Sequence, residues 1–60
     1  MTAIIRTVDG RTVTVTGDPE QAADRIMESR TRKRGEFLAF TEPSGARVWV
    51  ANDRIASIAE

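Results

Sequence analysis

The chain reads as an α+β domain: a single antiparallel sheet in the order β-β-α-β-β, with a short fifth strand, and one helix packed on one face. Three observations predict this. Two stretches rich in β-branched and aromatic residues are each interrupted by a turn signature, Asp9-Gly10 in the first and Glu42-Pro43-Ser44-Gly45 in the second. Between them, Asp18-Pro19-Glu20-Gln21 opens a segment with helical apolar spacing. Hairpin turns this short join antiparallel neighbours.

The first strand is Ala3 to Val8, and Arg11 to Thr16 alternates as the second. A two-residue turn at Asp9-Gly10 pairs Val8 with Arg11, Arg6 with Val13 and Ile4 with Val15. One face then carries Ile4, Val8, Val13 and Val15, and the other Ile5, Thr7, Thr12, Thr14 and Thr16. The first of these is expected to lie under the helix. The threonine row can order water or template another strand, but high β-propensity on an outward face accounts for it without function.

The helix begins at Pro19, where a missing N–H costs nothing, with Asp18 as the cap. Gln21, three residues after that cap, completes a box-like signature. Ala22, Ala23, Ile26 and Met27 form a narrow apolar stripe. The helix is expected to end between Arg30 and Arg34, where cations complement the dipole, with Gly35 in the left-handed conformation beyond it.

Glu36 to Thr41 and Ala46 to Ala51 are the third and fourth strands. Pairing Thr41 with Ala46 places Phe37, Ala39, Val48 and Val50 on one face and Leu38, Phe40, Arg47 and Trp49 on the other. Large apolar side chains on both faces exceed what one helix can cover. Either the sheet closes on itself or the second face meets another chain; the second option suits so short a chain better. Asn52-Asp53 starts a turn that Asn52 can cap. Ile55 and Ile58, three apart, suggest a helical turn before a last strand over Ala56 to Ala59.

Sixty residues make one small domain (1–60) whose own core is marginal, because such a chain buries only about 60% of its unfolded surface. No cysteine or histidine is present to staple it with disulfides or a Cys/His zinc site. Association is one remaining source of stability. Apolar content of 40% with 30% charged residues fits a folded domain, and a net charge of zero provides no global pull toward nucleic acid or anionic lipid. No apolar run suits a membrane span and no leader pattern opens the chain, so a cytoplasmic location is expected.

The same absences argue against an enzyme. The usual general base and the strongest nucleophile are missing, and Ser29, Ser44 and Ser57 have no base nearby in sequence. Glu20, Asp24 and Glu28 recur every four residues on one helix face, a row that can hold a hard cation but is more simply a solvated surface. No catalytic residue, metal or cofactor is therefore expected. Arg30, Arg32, Lys33 and Arg34 can contact phosphates, with Trp49 or Phe40 stacking on bases if exposed. A helix end that favours cations, followed by a solvated loop, explains that cluster more simply, and zero net charge, the lack of Tyr and the absence of an RNP-like aromatic pattern weigh against the nucleic-acid reading.

The run Phe37-Leu-Ala-Phe-Thr-Glu-Pro-Ser-Gly-Ala-Arg-Val-Trp-Val-Ala-Asn-Asp-Arg-Ile-Ala-Ser-Ile resembles the strand–turn–strand–turn–strand layout of small actinobacterial or phage-encoded domains of unknown function. Ala51-Asn52 stands where those domains carry a proline-containing turn. The resemblance covers about half the chain. It implies the architecture and carries no activity. The function expected is a non-enzymatic interaction module, a homodimer or other homo-oligomer or a unit docking on a larger protein, that uses Leu38, Phe40, Arg47 and Trp49. A nucleic-acid binder using Arg30, Arg32, Lys33 and Arg34 is the alternative.

Overall fold

In a computed structural model describing residues 1–60, β1 (Thr2–Thr7) and β2 (Thr12–Thr16) precede the helix α1 (Pro19–Arg32). Strands β3 (Phe37–Thr41) and β4 (Arg47–Ala51) follow. A 3₁₀ turn at Asn52–Arg54 then leads into β5 (Ile55–Ala59). The α+β class and the order β-β-α-β-β with a fifth strand match the expectation. The single sheet does not: the strands form two antiparallel sheets, β2-β1-β5 and β3-β4. The 3₁₀ turn redirects the chain so that β5 returns to β1 instead of extending β4. Two inner faces then cover each other, which buries more apolar surface than one sheet under a single short helix. The core joins Ala3, Ile5 and Val15 from the first sheet to Leu38, Phe40 and Val50 from the second, with Ala22, Ile26 and Ile55. No helix is long and apolar enough to cross a membrane.

Both hairpins differ from the predicted register by one residue, for the same reason. Thr7 N–H donates to the Arg11 carbonyl at 2.9 Å and Gly10 N–H to the Thr7 carbonyl at 3.1 Å. The loop is thus three residues long, Val8-Asp9-Gly10. Asp9 does not adopt positive φ, whereas Gly10 has φ of 89°. This is a type I turn closed by a left-handed glycine, not a type I′ turn. Glu42, Ala46 and Gly45 repeat the pattern, with Gly45 at φ of 93°. The Thr7 hydroxyl bonds Asp9 and holds its carboxyl below its usual value of 3.8, and the Arg11 guanidinium, 3.6 Å away, acts in the same direction.

A one-residue slip inverts one strand against its partner. In the first hairpin Ile5 pairs with Val13 and Ala3 with Val15, so Ala3 and Ile5 point inward. Ile4 and Val8, expected under the helix, are exposed instead. In the second, Leu38 pairs with Val50 and Phe40 with Val48, so all four share the inward face. Strand β5 brings a further correction. Ile58 pairs with Ile5 and Ile55 with Thr7, with a bulge between Arg6 and Thr7. The extra residue lets two isoleucines three apart face the same way within a strand, so their spacing reflects a bulge and not a helical turn.

The helix starts as predicted. Asp18 accepts from Glu20 N–H at 3.0 Å and Pro19 occupies the first turn. Its buried positions are Ala22, Ile26 and Ser29, whereas Met27 is exposed. The helix lies against β1, β5 and the 3₁₀ turn, and Arg25 reaches β3, donating to the Ala39 carbonyl at 3.3 Å with its guanidinium 5.0 Å from the Phe40 ring centre.

The far end of the helix is tied down by Asn52, which is fully buried. Its Nδ2 donates to Ser29 Oγ at 2.7 Å and to the Lys33 carbonyl at 2.8 Å, and its Oδ1 accepts from Gly35 N–H at 2.8 Å. Its backbone N–H donates to the Glu36 carbonyl at 2.9 Å, and its carbonyl accepts from Arg30 Nε at 2.6 Å. Asn52 therefore does not cap the 3₁₀ turn with its side chain, as its place in the sequence suggests; that side chain belongs to the helix end.

Two predictions follow from these contacts. Gly10→Ala and Gly45→Ala should each lower stability by about 1–2 kcal/mol, read by urea titration. An added Cβ meets no atom within 4 Å at either site, so the penalty is that of the backbone alone. Asn52→Ala leaves several buried groups unpaired at about 1–3 kcal/mol each, comparable with all the stability a chain of this length has. Circular dichroism should show it largely unfolded. Asn52→Asp preserves the shape but cannot donate to Lys33, and should be destabilised nearly as much; parent-like melting would contradict this role.

Candidate interaction surface

With the corrected register, Phe37, Ala39, Arg47, Trp49 and Ala51 lie on the outward face of the β3–β4 sheet. Ala39 pairs with Trp49 and Phe37 with Ala51, so each aromatic stands opposite an alanine. Phe37 and Trp49 are diagonal neighbours, a separation of roughly 7–8 Å that large rings can span. Phe37 is 67% exposed and Trp49 57%. Two large aromatics held side by side in water on regular strands form a contiguous apolar patch.

Of the four residues predicted for an interface, the structure brings Arg47 and Trp49 together here and sends Leu38 and Phe40 to the core. Phe37, assigned to the inner face from the sequence, takes the place beside Trp49. The signal that could have found it is the Gly at the third position of each hairpin loop, since a three-residue loop reverses the face of β3 relative to β4. Trp49 does not belong to the core.

A shallow groove of about 570 Å³ adjoins the patch, bounded by β4, the first hairpin and the 3₁₀ turn. Trp49 and Phe37 line one side, Val13 and Arg11 belong to the first hairpin, and Asp53 and Arg54 stand at the turn. The groove is half apolar and open, a shape suited to an extended segment of another chain more than to a small molecule enclosed on most sides.

The basic cluster is divided by the fold. Arg30 turns inward, its Nε on the Asn52 carbonyl and its Nη2 on the Ile55 carbonyl at 2.8 Å. Arg32 lies 3.7 Å from Glu36, while Lys33 and Arg34 are exposed. Phe40, one of the two rings considered for base stacking, is buried under Arg25. Glu20, Asp24 and Glu28 are exposed along the helix, and no group of three potential acidic, cysteine or histidine ligands converges anywhere in the chain.

Comparison with protein-family models, curated proteins and solved structures found no match for this chain.

The two faces of the hairpin should respond differently to truncation. Phe40→Ala removes a buried ring and should cost about 3–5 kcal/mol of folding stability. Trp49→Ala removes a ring already more than half in water and should cost about 1 kcal/mol or less in the isolated domain. Thermal melts of the two variants at low protein concentration check this, and equal losses would place Trp49 in the core after all.

Proposed function

We propose that this chain is a small non-enzymatic protein-interaction module that associates, with itself or with a larger protein, through the outward face of β3–β4. The observation that supports this most directly is the pair Phe37 and Trp49, both more than half exposed on adjacent strands although the same hairpin buries Leu38, Phe40 and Val50. A 60-residue domain has few large apolar side chains to spend, and leaving two in water costs solubility without gain unless a partner covers them. Trp is also among the residues that most often dominate binding energy at the centre of an interface. Arg47, on the same face, supplies a polar margin to the patch.

Absence of histidine and cysteine supports a role without nucleophilic or acid–base chemistry. The nucleic-acid alternative draws less support, because Arg30 is committed to backbone carbonyls and Phe40 to the core.

Trp49→Ala should weaken association by at least about 2 kcal/mol, roughly 30-fold, while far-UV circular dichroism stays that of the parent. Light scattering and native mass spectrometry at micromolar concentration read the self-association arm against the 6.6 kDa of one chain. A tagged chain and its Trp49→Ala control read the docking arm. A monomeric parent that captures nothing in a Trp49-dependent way would remove the proposal.

A further inference from the structure

The two edges of the β3–β4 sheet are treated differently. In β3 two of the three outward-facing carbonyls are engaged: Ala39 accepts from Arg25, and Thr41 accepts from the Thr16 hydroxyl at 3.2 Å. Strand β4 pairs with β3 alone. Glu42 N–H bonds the Ala46 carbonyl at one end of the ladder and Asn52 N–H bonds the Glu36 carbonyl at the other. Antiparallel alternation then directs the N–H and C=O groups of Ala46, Val48, Val50 and Asn52 toward β3. Those of Arg47 and Trp49, together with the Ala51 N–H, point the opposite way, into the open groove, while the Ala51 carbonyl opens the 3₁₀ turn. Such an edge is a template for another strand, and natural proteins usually blunt it.

Resting on the reading of this face as an interaction surface, we infer that the partner is a second copy of this chain, added edge to edge so that two β4 strands pair antiparallel about a two-fold axis at Trp49. The edge is self-complementary in that register. Trp49 meets Trp49 of the second copy as a hydrogen-bonded pair that exchanges both backbone bonds, and on either side the Ala51 N–H of one copy donates to the Arg47 carbonyl of the other. The two tryptophans lie on one face of the extended sheet, each flanked by its own Phe37. The short two-stranded sheet, marginal as a separate unit, becomes the continuous four-stranded sheet β3-β4-β4-β3.

Charge complementarity favours a second copy over an arbitrary strand. Arg47 and Asp53 are both exposed, and neither takes part in an ion pair within the chain. In the two-fold register the Arg47 of one copy arrives opposite Ala51 of the other, two residues short of Asp53. An unpaired cation thus comes beside the turn that carries an unpaired anion at each end of the interface.

A proline at the edge separates strand addition from simple burial of the aromatic face. Ala51 has φ of −68° and ψ of 136°, a conformation proline adopts, and its N–H faces the groove. Ala51→Pro should leave the circular dichroism of the domain unchanged at low concentration and weaken dimerisation at least tenfold, measured by analytical ultracentrifugation and native mass spectrometry. Arg47→Asp should also weaken it, and Arg47→Asp with Asp53→Arg should restore it; recovery in the exchanged pair supports antiparallel pairing of two β4 edges whether or not the proline variant folds. The inference is overturned if Ala51→Pro folds and dimerises like the parent while Trp49→Ala does not dimerise, because the faces then pack without pairing strands. Failure of the charge exchange to restore dimerisation overturns the register. A parent that remains monomeric into the high micromolar range overturns self-pairing, and Trp49-dependent capture of a larger protein in that case keeps the proposed function while removing this partner.

Discussion

Asn52 is the residue on which the arrangement of the helix, the hairpins and the last strand depends. Every polar group it carries is used, and the partners come from two places, Ser29, Arg30 and Lys33 at the helix end and Gly35 and Glu36 in the connection to β3, so that both are tied to the turn into β5. A buried amide with its partners in place rigidifies a core and selects one geometry, because each alternative leaves donors or acceptors unpaired in a low-dielectric interior. Ser29 extends the network outward, accepting from Asn52 and donating to Glu36 Oε1 at 2.9 Å. No buried side-chain polar atom is left without a partner.

This polar clamp compensates for a helix with a thin apolar face. Only Ala22 and Ile26 of α1 enter the core, too little to hold fourteen residues by burial alone. The two ends of the helix are instead fixed by hydrogen bonds, Asp18 at the start and the Asn52 network at the finish, while Arg25 and Arg30 reach across to β3 and to the 3₁₀ turn. Arginines that look like a solvent-facing basic cluster along the chain are in part structural bolts, because the guanidinium can satisfy two carbonyls at once in a fixed plane.

The same economy bears on the surface. One sheet is a three-stranded unit with β1 at its centre, and the other is a bare hairpin. Its inner face completes the core, its β3 edge is engaged at Ala39 and Thr41 by Arg25 and Thr16, and its β4 edge and outer face retain Trp49 and Phe37 in water. The unfinished side of the fold and the exposed aromatic pair therefore coincide, and this coincidence gives the surface its physical meaning. An exposed aromatic can be incidental; two beside an unpaired strand edge combine apolar surface with free backbone hydrogen-bonding groups.

Local chemistry determined the helix start, the order of the elements, the position of both turns and the alternation within each strand, because caps, prolines, glycines and period-two patterns act over a few residues. Asp18-Pro19 and the valines of β2 illustrate this. Absence of histidine and cysteine likewise bounded the chemistry without any structure. Tertiary structure alone decided how strands face one another. Asp9-Gly10 is compatible with a two- or a three-residue loop, and the choice inverts β1 against β2; the turn after Thr41 does the same to β3 against β4, which moved Leu38 and Phe40 into the core and Phe37 to the surface. The bulge in β5, the split into two sheets and the inward turn of Arg30 also depend on partners distant in sequence. A strand carries its own two faces in its residues, but which of them becomes the inside is settled by the energy of packing against the others.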